Sequence, residues 1–198
     1  MKPKGTILDI GCGEGVFVEE LRKKGFKIEG VDANYSSDLV RQGDVLDLPF
    51  SSQSYETVLL LDVIEHLNLT EQRLALREIT RVLKTAGTLI ISVPNLAHLY
   101  SRIEFLLKGK LIRTAAPAEK HPGDRPIREY IQLLKQEGYD ITLRKGFFLT
   151  LPFCFKWIQR KPGNFMWLYH FLNYFAVPNW CFLNILLCRR INDSSLRE

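Results

Sequence analysis

The chain has 198 residues, 46% of them apolar and 25% charged, the ordinary composition of one sizeable globular domain. Its net charge of +5 permits contact with phosphates, anionic lipid or nucleic acid, but Lys and Arg are spread along the chain and give a nucleic-acid reading no concentrated patch. The four cysteines, Cys12, Cys154, Cys181 and Cys188, form no disulfide framework or metal-ligand spacing. A reducing cytoplasm is therefore the expected compartment, and the first residues show no signal-peptide pattern.

In chain order, Thr6 to Ile10 is a short β-rich run that ends on glycines, and Val16 to Lys24 sets Val16, Phe17 and Leu21 among charges as an amphipathic helix would. Phe26 to Val31 reads as a second strand followed by Asp32. Thr57 to Leu61 reads as a strand buried on both faces. A helix from about Leu69 to Leu83 is expected to turn Leu74, Ile79, Val82 and Leu83 toward the sheet, with T-A-G-T at 85–88 as its stop and Leu89 to Val93 as the next strand. Strands alternating with helices imply a parallel sheet with right-handed crossovers. Beyond Pro94 the reading is a helix near Leu96 to Leu107, a Pro- and Gly-rich loop from Thr114 to Pro126, a helix from Ile127 to Glu137 closed by Gly138, and a strand from Ile141 to Phe148.

Between Lys161 and Arg189 the chain carries no Asp, Glu, Lys or Arg, and eight aromatic residues from Phe165 to Phe182 crowd together. Its length would suit a membrane span. Pro178, Asn179, Asn173 and Asn184 argue instead for one or two aromatic helices followed by a final strand, Phe182 to Arg190. Such helices could also dock on a bilayer surface or cover an apolar substrate, because Trp and Tyr beside Lys and Arg suit an interface.

The stretch I-L-D-I-G-C-G-E-G at 7–15 places a glycine turn between strand and helix, where ligand groups can approach backbone and helix N-terminus. A dinucleotide site wants G-x-G-x-x-G, but Val16 stands where its third glycine belongs; a Walker cradle would need a following G-K-S or G-K-T, which is missing. D-I-G-C-G-E-G instead resembles the first motif of class I S-adenosylmethionine-dependent methyltransferases. V-D-A-N at 31–34, G-D-V-L-D-L-P-F at 43–50, L-D-V-I-E-H-L at 61–67 and R-V-L-K-T-A-G-T-L-I-I-S-V-P-N at 81–95 are similar, in order, to that family's later motifs. The resemblance covers residues 5–95 strongly and 121–145 weakly.

It implies a Rossmann-like α/β sandwich whose seven-stranded, mostly parallel sheet ends in an antiparallel strand, built as one domain over 1–198 with 150–181 as a helical aromatic insertion. It also implies S-adenosylmethionine as cofactor. Asp9 would meet the cofactor's ammonium group directly or through water, and Gly11, Cys12 and Gly13 would let the backbone lie along the ribose and methionine portions. Asp32, with Ala33 beside it, would accept both ribose hydroxyls. Asp44 would bind the adenine amine, the Val45 N–H a ring nitrogen, and the Leu61 backbone the methionine end. Cys12 itself reads as a small loop residue, since nothing basic near it in sequence lowers its pKa.

Methyl transfer from a sulfonium starts from an activated leaving group, so positioning supplies much of the catalysis and a general base is needed only when the acceptor holds its proton. Asp62, Glu65 and His66 follow the fourth strand; in a helix the three would share a face, and His66 is the candidate base because imidazole is the side-chain type best suited to accept and return a proton under physiological conditions. The same trio, with His121 as a possible fourth ligand, resembles a divalent-metal pattern of some family branches. In other branches these residues cap or brace the loop, and the reading adopted has no metal. His98, Tyr100, His121 and Arg125 are expected on the acceptor side.

The helices that usually precede the first strand are missing, so either the lid comes from elsewhere or the chain is a shortened version of a longer product; the aromatic segment is the candidate lid. The expected reaction is methylation, first of oxygen, on a small-molecule, glycan or lipid-linked acceptor in the cytoplasm, with peripheral membrane contact through 150–188. Nucleic acid is disfavoured because S-V-P-N at 92–95 lacks an N-P-P-Y or D-P-P-Y element. The competing reading is a non-catalytic cofactor-binding module that associates through its aromatic segment.

Overall fold

The computed structural model describes residues 5–109, 121–149, 171, 174 and 177–191. Its strands are β1 (Thr6–Ile10), β2 (Lys27–Asp32), β3 (Val40–Gln42), β4 (Tyr55–Leu60), β5 (Leu83–Pro94), β6 (Tyr139–Leu149) and β7 (Cys181–Arg190), joined by helices α1 (Val16–Lys23), α2 (Leu69–Val82), α3 (Leu99–Lys108) and α4 (Ile127–Gln136). All seven strands form one sheet in the order β3-β2-β1-β4-β5-β7-β6. Strands β1 to β5 pair in parallel, and β7 runs antiparallel to both β5 and β6. The expected Rossmann-like α/β architecture is present. Most of the aromatic insertion, 150–181, lies outside the described residues.

Alternation along β1 separates two cores. Leu8 and Ile10 face the large cluster built with Leu76, Ile79 and Tyr130 from α2 and α4, whereas Ile7 joins Val18 of α1 on the other face with Ile28 and Leu59. The chain moves outward from β1 to β2 and β3 and then returns to β4. The strand order therefore reverses between β1 and β4, the place where open α/β sheets bind ligands at their carboxyl ends.

Several expectations change. Leu74 is 44% exposed; the buried side of α2 is Gln72, Ala75, Leu76, Ile79 and Val82. At 3.6 residues per turn Leu74 lies opposite Leu76, so it could not share that face. Val16 and Phe17 are likewise exposed, and Val18 is the buried residue of α1. The T-A-G-T segment does not separate helix from strand: α2 passes directly into β5, where left-handed Ala86 and a register shift opposite Tyr55 and Thr57 absorb the irregularity. Helix α3 begins at Leu99, with His98 as its cap, rather than at Leu96. The sequence pattern did not mark β3, a three-residue edge strand.

Because β6 runs parallel to β5, its end at Leu149 and the start of β7 at Cys181 meet at the carboxyl edge of the sheet. The segment between them therefore leaves and re-enters on the edge that carries the cleft.

Candidate active site

Glycine permits the first turn of the site. Gly11 has φ +74° and donates its N–H to the Val31 carbonyl at 2.8 Å, and a Cβ built on it would stand 2.3 Å from Val63 Cγ2. Any side chain here would meet the turn after β4. This close approach leaves a cleft of about 490 Å³ lined by Ile10, Gly11, Val31 to Asn34, Gly43 to Val45, Asp62, Val63, His66 and Leu67.

Asp32, at the end of β2, accepts the Gly13 N–H on Oδ2 and the Asn34 N–H on Oδ1, both at 2.8 Å. Each oxygen retains accepting capacity for a ligand hydroxyl, so the carboxylate is aimed before ligand arrives. Asp44 accepts the Leu46 N–H at 2.9 Å and lies across the cleft floor with Val45.

Of the residues expected to bind cofactor, Gly11, Asp32, Ala33, Asp44 and Val45 line this cleft. Asp9, Cys12, Gly13 and Leu61 do not. Asp9 shares the face of β1 that carries Ile7, is only 4% exposed, and burial pushes its carboxyl up to about 7. Cys12 packs its sulfur toward Gly30 of β2, and burial first, then Asp9 and Asp32, push the thiol up to about 11; it remains a protonated packing group. Leu61 packs beside the α1-side core. Asn34, Gly43, Val63 and Leu67 were not singled out from sequence, although Asn34 stands inside the V-D-A-N motif and Gly43 opens the G-D-V-L-D-L-P-F motif.

Asp62, Glu65 and His66 do not share a face. Asp62 has φ +56° and lies outside the helical turn, while Ile64–His66 is a single 3₁₀ turn whose successive side chains diverge by about a third of a circle. Glu65 is 5% exposed, and burial, assisted by Asp62 and Asp124, pushes its carboxyl up to about 7. His66 is exposed toward the cleft. Its ring meets that of His121 edge to face, with centroids 4.6 Å apart, and His121 Nδ1 stands 3.8 Å from Asp124. Among the described residues no group of three or more His, Cys, Asp and Glu is arranged to hold a metal ion.

What brings His121 to His66 is Gln72, which the sequence pattern did not distinguish from an ordinary polar helix residue. Fully buried, it donates its side-chain amide to the carbonyls of Ile64, Leu67 and Gly123 at 2.8, 3.1 and 3.2 Å. The Gly123 N–H in turn donates to the Glu65 carbonyl at 3.0 Å, and Tyr130 donates its hydroxyl to the Gly123 carbonyl. His98 faces inward as the cap of α3; burial, then Arg102, lowers its imidazole to about 4.

A family model described as a methyltransferase domain matches residues 1–143. The chain belongs to the class I S-adenosylmethionine-dependent methyltransferase family. This methyltransferase is 30% identical over 152 residues to a probable S-adenosylmethionine-dependent methyltransferase of Mycolicibacterium smegmatis, covering 72% of this chain and 54% of that one. It is 31% identical over 103 residues to mouse probable tRNA methyltransferase 9B, covering 46% of this chain but 22% of that protein's length. In structure the methyltransferase is similar to a Methanosarcina mazei SAM-dependent methyltransferase, with TM-score 0.64, 17% identity and coverage of 98% and 95% of the two chains. Its cofactor is S-adenosylmethionine.

Proposed function

We propose that this methyltransferase transfers the methyl group of S-adenosylmethionine to an oxygen of a small-molecule, glycan or lipid-linked acceptor, with His66 as general base. In this reading Asp32 accepts the ribose hydroxyls, Asp44 and Val45 hold the adenine edge, and the Gly11 turn lies along the methionine portion. The acceptor oxygen attacks the methyl carbon in line as the methyl–sulfur bond breaks. His66 takes the hydroxyl proton, and S-adenosylhomocysteine leaves as a neutral thioether. The observation that carries the reading is that His66 lines the cleft at the exit of β4, its ring held against His121.

An acceptor with an apolar part suits the aromatic segment, which enters and leaves at the carboxyl edge of the sheet. Among the described residues no helix is long and apolar enough to cross a membrane. Peripheral contact with a bilayer in the cytoplasm is part of the proposal, carried by the aromatic residues of the C-terminal segment. The test is transfer of tritiated methyl to separated lipid, glycan, small-molecule and RNA fractions. The expected outcome is label in an ether or ester product of one of the first three, reduced on the order of 100-fold or more by His66→Ala. Label confined to RNA would replace this acceptor class with the one named for the mouse relative, and full activity of His66→Ala would remove His66 as the base.

A further inference from the structure

Asp62 is the second residue beyond β4, and its φ of +56° lies in the left-handed region, which a residue with a Cβ occupies only when its surroundings hold it there. What holds it is Ser92 of β5, itself 2% exposed. The Ser92 hydroxyl accepts the Asp62 N–H at 2.7 Å and donates to Asp62 Oδ1 at 2.8 Å. One hydroxyl thus fixes both the backbone and one carboxylate oxygen, leaving Oδ2 to meet a ligand.

The cleft has three acidic residues in its lining, Asp32, Asp44 and Asp62. Asp32 ends β2 and Asp44 follows β3, on one side. Asp62 stands on the other, between β4 and the Gly11 turn, where the strand order reverses and Val63 touches Gly11. Asp9, which the family resemblance assigns to the ammonium group, is buried on the α1 face with its carboxyl raised to about 7.

We propose that Asp62, positioned by Ser92, binds the ammonium group at the methionine end of S-adenosylmethionine. This inference rests on the assignment of the cleft to that cofactor. The cofactor carries two cations, and transition-state reasoning separates them. A carboxylate held against the sulfonium would stabilise the ground-state charge that methyl transfer discharges, and so would slow the reaction; against the ammonium it binds reactant and product alike without raising the barrier. The neighbouring carboxylate of the amino-acid end is repelled by Asp62, which sets the direction in which that end lies.

Calorimetry with the purified chain and three ligands tests the assignment: S-adenosylmethionine, S-adenosylhomocysteine, which keeps the ammonium but loses the sulfonium, and 5′-methylthioadenosine, which has neither. Asp62→Asn is expected to weaken the first two by the same factor, about tenfold, and to leave the third unchanged. Asp62→Gly, whose backbone adopts this φ without strain, guards against misfolding and is expected to give the same pattern. Ser92→Ala is expected to give a smaller loss in the same two ligands, since the charge remains but its position relaxes. Unchanged S-adenosylmethionine affinity in Asp62→Asn overturns the assignment. A loss confined to S-adenosylmethionine would point to the sulfonium and also overturns it, as does an equal loss of all three ligands. A wild-type chain that binds none of the three would instead overturn the cofactor reading beneath it.

Discussion

The two sides of the cleft are assembled by different kinds of contact. On the cofactor side, the Gly11 turn, Asp32 and Asp44 are placed by short connections after adjacent parallel strands, and the bonds that aim Asp32 come from Gly13 and from Asn34 two residues on. On the acceptor side, His121 reaches His66 across 55 positions of sequence because Gln72 and the Gly123 backbone join the loop before α4 to the 3₁₀ turn after β4. Buried Asn95 does similar work at the end of β5, donating to the carbonyls of Asn179 and Cys181 and accepting the N–H groups of Ala97 and Ile127. Local strand-end geometry builds a site for a cofactor that many proteins share. Long-range polar bonds build the side on which we propose that the acceptor binds.

Replacing Gln72 by Leu attacks that seam. With the carbonyls of Ile64, Leu67 and Gly123 losing the Gln72 amide, though Gly123 keeps the Tyr130 hydroxyl, unfolding in urea is expected to show a loss of about 2 kcal/mol; a loss below about 0.5 kcal/mol would mean that Gln72 does not weld the two sides. Asp32→Ala strikes the cofactor side instead. It removes the acceptor aimed at the ribose as well as the partner of two backbone amides, and calorimetry is expected to show S-adenosylmethionine binding at least tenfold weaker, or about 1.4 kcal/mol. Unchanged affinity would remove the ribose assignment.

Glu65 sharpens the comparison through pH, because it lies buried where the two sides meet. The unfolded chain releases this proton near the ordinary glutamate value of 4.5, whereas the folded chain holds it up to about 7. Between those values the folded state binds more protons, so this group's contribution to stability falls as pH rises through the window and levels off above it. Glu65→Gln is therefore expected to be more stable than the wild type at pH 8 by at least about 1 kcal/mol and to show no gain at pH 4. Equal denaturant midpoints for the two proteins at pH 8 would show that burial imposes no such penalty.

Much of the cofactor side was legible in the chain alone. Glycines between a strand and a helix, an Asp at the end of the next strand and the G-D-V-L-D-L-P-F stretch carry their meaning within a few residues, and alternating strands and helices imply the parallel sheet. That Asp9 is buried on the α1 face rather than lining the cleft was not legible, because a strand reverses its side chains at every residue and only the packing of α1 shows which face is covered. Asp62, Glu65 and His66 would share a face only in a helix; the left-handed backbone that Ser92 holds at Asp62 and the tighter 3₁₀ turn separate them. Val63 and Gln72 gave no local signal, being an aliphatic residue and a polar helix residue whose partners lie elsewhere in the chain.

The sequence by itself determined the order of the longer elements and the glycine turn, because periodicity and turn chemistry act over short distances, and the resemblance of its ordered motifs to a known family implied the cofactor. Tertiary structure alone decided which carboxylates reach the cleft, that Glu65 is buried while His66 faces outward, and that His121 stands against His66. Those outcomes depend on which face of each strand is covered and on buried hydrogen bonds between segments far apart in the chain, and no short stretch of residues contains either.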